Sequence, residues 1–205
     1  MGSTRIPGNR WQREERCATL RATPSGAAIV TLPRRLFFAL WPDDASRRAL
    51  AAEAERLAPH CGGYPLPAQN MHITLAFLGS VDASRLAALL ELTRAWPAPQ
   101  GEWTLDRLGH FPQPRIVWAG SQTPDPALLA LHAELWQALA RHGFTAPQRD
   151  FTPHVSLVRR ADRAAPDSRL PAPLRWRFDH LALVESQLGE GGSRYRTLAC
   201  SHGTA

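Results

Sequence analysis

Residues 67–79 read PAQNMHITLAFLG and residues 149–160 read RDFTPHVSLVRR. Each stretch enters from a polar, proline-containing segment, presents His-x-hydroxyl-Leu and runs into apolar residues. The two histidines, His72 and His154, stand 82 residues apart in corresponding halves of the chain. The pattern is that of a degenerate internal repeat: strand, helix, His-bearing strand, twice over. On a strand, residues i and i+2 point the same way. His72 therefore shares a face with Thr74, and His154 with Ser156. Strict alternation continues the first polar face to Ala76. It turns Ile73, Leu75, Phe77, Val155 and Leu157 to the other side, where they can pack under helices. A strand that is apolar on one face and presents imidazole and hydroxyl on the other lines a cleft.

Working outward, Arg35–Trp41 (RLFFALW) reads as a first strand, and Asp43 or Asp44 caps a helix over roughly 45–57. Residues 59–67 read as loop, 71–78 as the first His-bearing strand and 80–95 as a helix. Two strands, 102–111 and 115–119, are joined by a turn at 112–114. The longest helix, 126–142, carries Leu128, Leu131, Leu135 and Leu139 at three- and four-residue steps and ends at Gly143. A strand follows at 155–159, then a Pro/Asp/Arg loop over 160–173, then strands at 176–186 and 195–200 joined by a glycine-rich turn. Strand pairs joined by short turns pair antiparallel. The predicted class is α+β. Residues 1–33 show no sustained period and are expected to form a disordered or loosely packed extension, with one domain over 34–205.

Composition removes whole chemistries. All 24 basic residues are arginine; there is no lysine. That excludes Schiff-base lysine catalysis, a Walker A loop and a ligase that adenylates its own lysine. Three widely spaced cysteines without Cys-x-x-Cys read as neither a disulfide framework nor a zinc knuckle. The sequence holds no His-x-x-x-His and no acidic cluster, so neither metal nor cofactor is expected. The net charge is +6, but residues 1–33 supply half of it, with five Arg against Glu14 and Glu15. Attraction of a polyanion by the folded body therefore depends on a few arginines near the cleft. Neither a transmembrane run nor a secretory apolar region is evident, so a cytoplasmic protein is expected.

Two imidazoles and two hydroxyls around one pocket suit a phosphodiester. Imidazoles that titrate near neutral pH can act as acid and base on opposite sides of phosphorus. Hydroxyls can donate to the non-bridging oxygens, and Arg can neutralise developing charge. A bare His-x-[Ser/Thr] is weak evidence: with eight His and 23 Ser plus Thr, roughly one chance match is expected. The third match, His202-Gly203-Thr204, lies in a polar tail without a flanking strand. Shared strand context and half-chain placement separate the other two from it. A serine hydrolase built on Ser156 is disfavoured, because no nucleophile elbow and no orienting acid accompany it.

The paired motifs resemble the two-histidine phosphoesterase superfamily. RLFFAL at 35–40, the NMHITLAFLG block, GHFPQPRIVWAG at 109–120, PHVSLVRR and SQLGEGGSRYRTL extend the likeness to RNA 2′,3′-cyclic phosphodiesterases, also called 2′-5′ RNA ligases. The resemblance covers about residues 34–200. It implies a bilobal α+β fold with two antiparallel sheets related by pseudo-twofold symmetry about a central cleft, helices outside. It implies opening of a terminal 2′,3′-cyclic phosphate on RNA to a 2′-phosphate, with reversible, ATP-independent 2′-5′ joining. His72 is then the general acid and His154 the general base, while Thr74, Ser156 and Arg159 bind the phosphate. Phe37 is a candidate for stacking on a terminal base, and Tyr195 and Arg115 are candidates for the cleft wall. Strict parity, however, points Arg160 rather than Arg159 at the site. A monomer acting without metal on phosphate-ended RNA is expected. The rivals are a phosphodiesterase for small cyclic nucleotides or 2′-5′ linkages, and an RNA-end-binding module without turnover.

Overall fold

The two motifs become the middle of the sheet. In the computed structural model, which describes residues 32–123, 125–189 and 192–202, β1 (Arg34–Leu40) leads to α1 (Asp44–Cys61). A two-residue strand β2 (Tyr64–Pro65) and a 3₁₀ turn (Ala68–Asn70) then precede β3 (Ile73–Val81). Next come α2 (Ala83–Ala95), β4 (Gly101–Phe111), β5 (Ile116–Gly120), α3 (Pro126–Ala140) and β6 (Val155–Arg159). Strands β7 (Arg169–Phe178), β8 (Ala182–Gly189) and β9 (Gly192–Cys200) complete the fold. The expectation for residues 1–33 falls on positions that, except for Leu32 and Pro33, lie outside the described residues.

Among the described residues the named strands all pair antiparallel, in the order β7-β4-β5-β6-β3-β1-β8-β9, with β2 on β6. The α+β class is as predicted. The expected pair of sheets is corrected to one open sheet, because β3 and β6 meet through Ile73 and Val155. Four strands extend to each side of that junction. The predicted strand over 176–186 is also corrected. It breaks at 179–181 into β7 and β8, and β7 reaches back into the predicted loop. Pro171 and Pro173 suggest a loop, but β7 is the outermost strand, where a proline's missing N–H interrupts no second ladder.

The helices form where sequence pattern and capping agree. The Asp43 carboxylate accepts from the Ser46 N–H at 2.8 Å and starts α1. Leu50, Ala54, Leu57 and Cys61 form its buried stripe, which carries the helix a turn past the predicted end. Gly62 stops it with φ 75°. Asp125 caps α3 by accepting from Leu128 N–H at 2.9 Å, and Leu128, Leu131, Leu135 and Leu139 are buried as predicted. Helix α1 packs on β6 and β7, α2 on β8 and β9, and α3 against β3. Among the described residues, no helix is long and apolar enough to cross a membrane.

Candidate active site

The antiparallel register at Ile73–Val155 decides what meets at the centre. Extended by one residue each way, it sets His72 across from Ser156 and Thr74 across from His154. Ile73 and Val155 are fully buried beneath them. All four polar side chains line one cleft of about 220 Å³, together with Arg159. The paired site read from the sequence is thus brought together in one place.

Both histidines are held the same way. His72 Nδ1–H donates to the Asn70 carbonyl at 2.7 Å, and His154 Nδ1–H donates to the Thr152 carbonyl at 2.8 Å. A carbonyl only accepts, so each neutral ring keeps its proton on Nδ1 and its lone pair on Nε2. The Thr74 hydroxyl donates to His72 Nε2 at 3.0 Å. Nε2 is therefore the nitrogen that exchanges a proton on both rings. Asn70 does a second thing: its side-chain amide donates to the Ser193 carbonyl at 2.9 Å, tying the loop before β3 to β9.

Aromatic rings seat each imidazole. Phe37 stacks on His72 at 4.9 Å between centroids, with Trp41 at 5.2 Å and Tyr195 edge-on at 5.2 Å. Phe111 meets His154 edge-on at 5.0 Å, and Trp118 lies 6.1 Å away. Burial pushes the His72 pKa down from the usual 6.5 to about 4. The charges of Arg159 and His154 act in the same direction, and the bond to the Asn70 carbonyl opposes them. Burial also lowers His154, with Arg149 and Arg159 adding to the effect. Both rings are therefore neutral near pH 7. An arriving phosphodiester anion favours their protonated forms.

Strand parity fails at two corresponding places, and the failures complete the site. On β3, Phe38 faces Ala76 while Ala39 faces Thr74, so Leu75 is an extra, unpaired residue. On β6, Val117 faces Val158 while Trp118 faces Ser156, so Leu157 is extra. Each bulge flips the alternation that follows it. Residue His+5 consequently returns to the cleft face in both strands: Phe77 on β3 and Arg159 on β6. The expectation that Ala76 continues the polar face and Phe77 packs underneath is overturned. Ala76 is buried, while Phe77 is 47% exposed at the cleft wall. Arg159 lines the cleft, whereas Arg160 has left-handed φ 54° and sets its guanidinium 5.8 Å from the Tyr64 ring. Gly63 helps to place Arg159, since a Cβ there would lie 2.3 Å from the Arg159 carbonyl oxygen.

The remaining candidates divide. Tyr195 is at the cleft wall. Phe37 also lines it but is only 3% exposed, its ring covered by His72 and Tyr195. Arg115 is not at the cleft; it pairs with Asp162 and donates to the Arg160 carbonyl. His202 is exposed near Arg94, away from the site, and the rest of its motif lies outside the described residues. Sequence reasoning missed Arg35, Ser186 and Ser193 as lining residues. Arg35 carries the one available signal, two positions before Phe37 on the same strand; its guanidinium lies 4.8 Å from the Phe77 ring centre. Among the described residues, no group of three or more His, Cys, Asp or Glu is placed to hold a metal ion.

Comparisons with known proteins point to one family. A family model described as "2'-5' RNA ligase superfamily" matches residues 42–190. An RNA 2′,3′-cyclic phosphodiesterase of Escherichia coli (strain K12) is 34% identical over 170 residues, covering 81% of this chain and 94% of the relative. One from Thermus thermophilus is 31% identical, covering 80% and 87%. A crystal structure of Escherichia coli LigT complexed with 3′-AMP superposes with a TM-score of 0.74 at 32% identity, covering 82% of this chain and 97% of that one. With a matched region that runs through both histidine motifs, the chain belongs to the 2′-5′ RNA ligase superfamily.

Proposed function

We propose that the protein hydrolyses the terminal 2′,3′-cyclic phosphate of RNA to a 2′-phosphate by two-histidine acid–base catalysis. The observation that carries this reading is the pairing of two imidazoles, each with its Nδ1–H spent on a backbone carbonyl, in one cleft with two hydroxyls and Arg159. Curated relatives named RNA 2′,3′-cyclic phosphodiesterase support the substrate.

His154, neutral, takes the proton from water through Nε2 as the water oxygen bonds to phosphorus. His72 gives its Nε2 proton to the 3′-oxygen as the P–O3′ bond breaks. The low pKa of His72 suits it to the donor role: once it has taken a proton from solvent, held there by the charge of the bound anion, it is a strong acid beside the leaving oxygen. Thr74 then turns its hydroxyl from His72 to a non-bridging oxygen. Ser156 donates to another, and Arg159 offsets the charge that builds on the phosphoryl group. Phe77, with Arg35 against its ring, offers the more open aromatic face for the terminal base, and Phe37 the more enclosed one. Joining is the same exchange with an RNA 5′-hydroxyl in place of water. The groups named all come from one chain, which supports a monomer as the working unit. An RNA substrate points to the cytoplasm.

The test is an assay with EDTA present on RNA ending in 2′,3′-cyclic phosphate, beside a panel of small cyclic nucleotides and 2′-5′ dinucleotides. Accumulation of 2′-phosphate ends is expected, with the RNA preferred. Tight binding of phosphate-ended RNA without product would replace this reading with a binding module.

A further inference from the structure

A second pocket, of about 280 Å³, opens beside the cleft. It shares Thr74, Phe77 and His154 with the cleft; His72, Ser156 and Arg159 line the cleft alone. The second pocket therefore lies on the His154 side of the site. Its walls are aromatic. Phe111 and Trp136 contribute, and Phe151 stacks on His132 at 3.9 Å with their planes 2° apart. Arg149 stands in the lining, close enough for its charge to lower the His154 pKa.

Activating a water molecule needs far less space than this. Displacement at phosphorus is in line, so the attacking oxygen enters opposite the departing 3′-oxygen. Under the proposed function His154 serves the attacking side. A water molecule occupies about 30 Å³, an order of magnitude less than the chamber beside its base. What fits there is a hydroxyl carried on a flat aromatic group, because stacking surfaces line the walls and every nucleobase has a π-face. An arginine is also at hand for a neighbouring phosphate.

We propose that this pocket is an acceptor subsite: it holds the 5′-terminal nucleoside of an RNA end bearing a free 5′-hydroxyl and presents that hydroxyl to His154 in place of water. The inference rests on the proposed function and assigns a place to the 5′-hydroxyl end that joining requires. In the step, O5′ bonds to phosphorus, and its proton passes to His154 Nε2. The P–O3′ bond breaks, and O3′ takes the proton of His72 Nε2. A diester is exchanged for a diester, so the 2′–5′ linkage forms without a nucleotide cofactor. Arg149 takes the next phosphate of the acceptor strand.

The experiment uses the full chain with a cyclic-phosphate-ended donor and increasing 5′-hydroxyl acceptor RNA, scoring hydrolysed and joined products together. Two variants are compared with wild type: Phe151→Ala, which removes a stacking wall, and Pro147→Trp, which crowds the rim. At subsaturating acceptor, the joined-to-hydrolysed ratio should fall about tenfold in each, the effect of losing one stacked base. Hydrolysis without acceptor should change less than about twofold. An unchanged ratio overturns the proposal. So does an acceptor that is neither joined nor able to slow wild-type hydrolysis. A third contrary result is Phe151→Ala weakening a dinucleotide donor but not a mononucleoside 2′,3′-cyclic phosphate, which would assign the pocket to the donor's preceding base. Absence of wild-type hydrolysis would instead remove the reading beneath it.

Discussion

Ile73 and Val155 form the residue pair that joins β3 to β6, and each directly follows a cleft histidine. One pair is enough to set the chemistry. Antiparallel pairing at that point places each histidine opposite the other motif's hydroxyl, and both side chains below are fully buried. The strands diverge beyond it, which leaves room for a cleft at the junction.

His72→Ala and His154→Ala are each expected to lower kcat on cyclic-phosphate-ended RNA by about 10²–10⁴-fold, the usual contribution of one positioned acid or base. The double variant should cost far less than the product of the two, since the pair acts as a unit. Retention of most activity in either single variant removes the acid–base mechanism. Circular dichroism of each variant checks that the loss is chemical.

The pH behaviour carries a definite sign. Burial holds free His72 at about 4, below its usual 6.5, and also lowers His154. The kcat/KM profile, which reports the free enzyme, should therefore be displaced to the acid side of the kcat profile. An anion in the cleft raises both imidazoles, by roughly 1–3 units for a close opposite charge. NMR titration should find His72 near 4 in the free protein and higher with a nucleoside 2′-phosphate bound. A free His72 titrating at or above 6.5 would contradict the packed environment. Proton linkage has the same sense. The unfolded chain binds a proton at His72 near 6.5 and the folded chain only near 4, so this group makes stability fall as pH drops through that window.

Arg159→Ala and Arg160→Ala should separate. Loss of a charged hydrogen-bonding partner for phosphate is worth about 1.5–3 kcal/mol, or roughly 10–150-fold in kcat/KM, at Arg159. Arg160 reaches Tyr64 rather than the cleft and should cost about twofold or less. Equal losses would mean that the bulge at Leu157 does not select between them.

Phe77→Ala and Phe37→Ala should fail differently. Phe77 is exposed at the cleft wall, so its loss should raise KM for a base-bearing substrate by about 5–150-fold, the range for one stacked base, with kcat less affected. Phe37 is packed on His72, so its loss should act mainly on kcat and shift the His72 titration. A Phe37→Ala variant that changes KM alone would return base stacking to that residue.

Much of this site was legible in the sequence because its signals are local. Period-two spacing put His72 with Thr74 and His154 with Ser156, and leucine spacing placed α3. The all-arginine composition excluded lysine chemistry outright. Phe77 and Arg159 were misread or left open because parity arguments assume an unbroken ladder. Nothing in LAFLG or SLVRR announces an extra residue at Leu75 or Leu157; a bulge exists only relative to a partner strand. The split between β7 and β8 was hidden for a related reason, since whether prolines can sit in a strand depends on its place at the sheet edge.

The sequence by itself determined the side chains available to the candidate site: an imidazole and a hydroxyl in each of two copies of one local pattern, with arginine after the second. It could do so because side-chain direction within a strand follows from covalent geometry. Only the tertiary structure decided that the copies touch through Ile73 and Val155 and that two bulges turn Phe77 and Arg159 into the cleft. It also decided that burial among aromatic rings, rather than exposure, sets the proton affinity of His72. Those outcomes depend on register and desolvation between segments distant in the chain, and no local pattern encodes them.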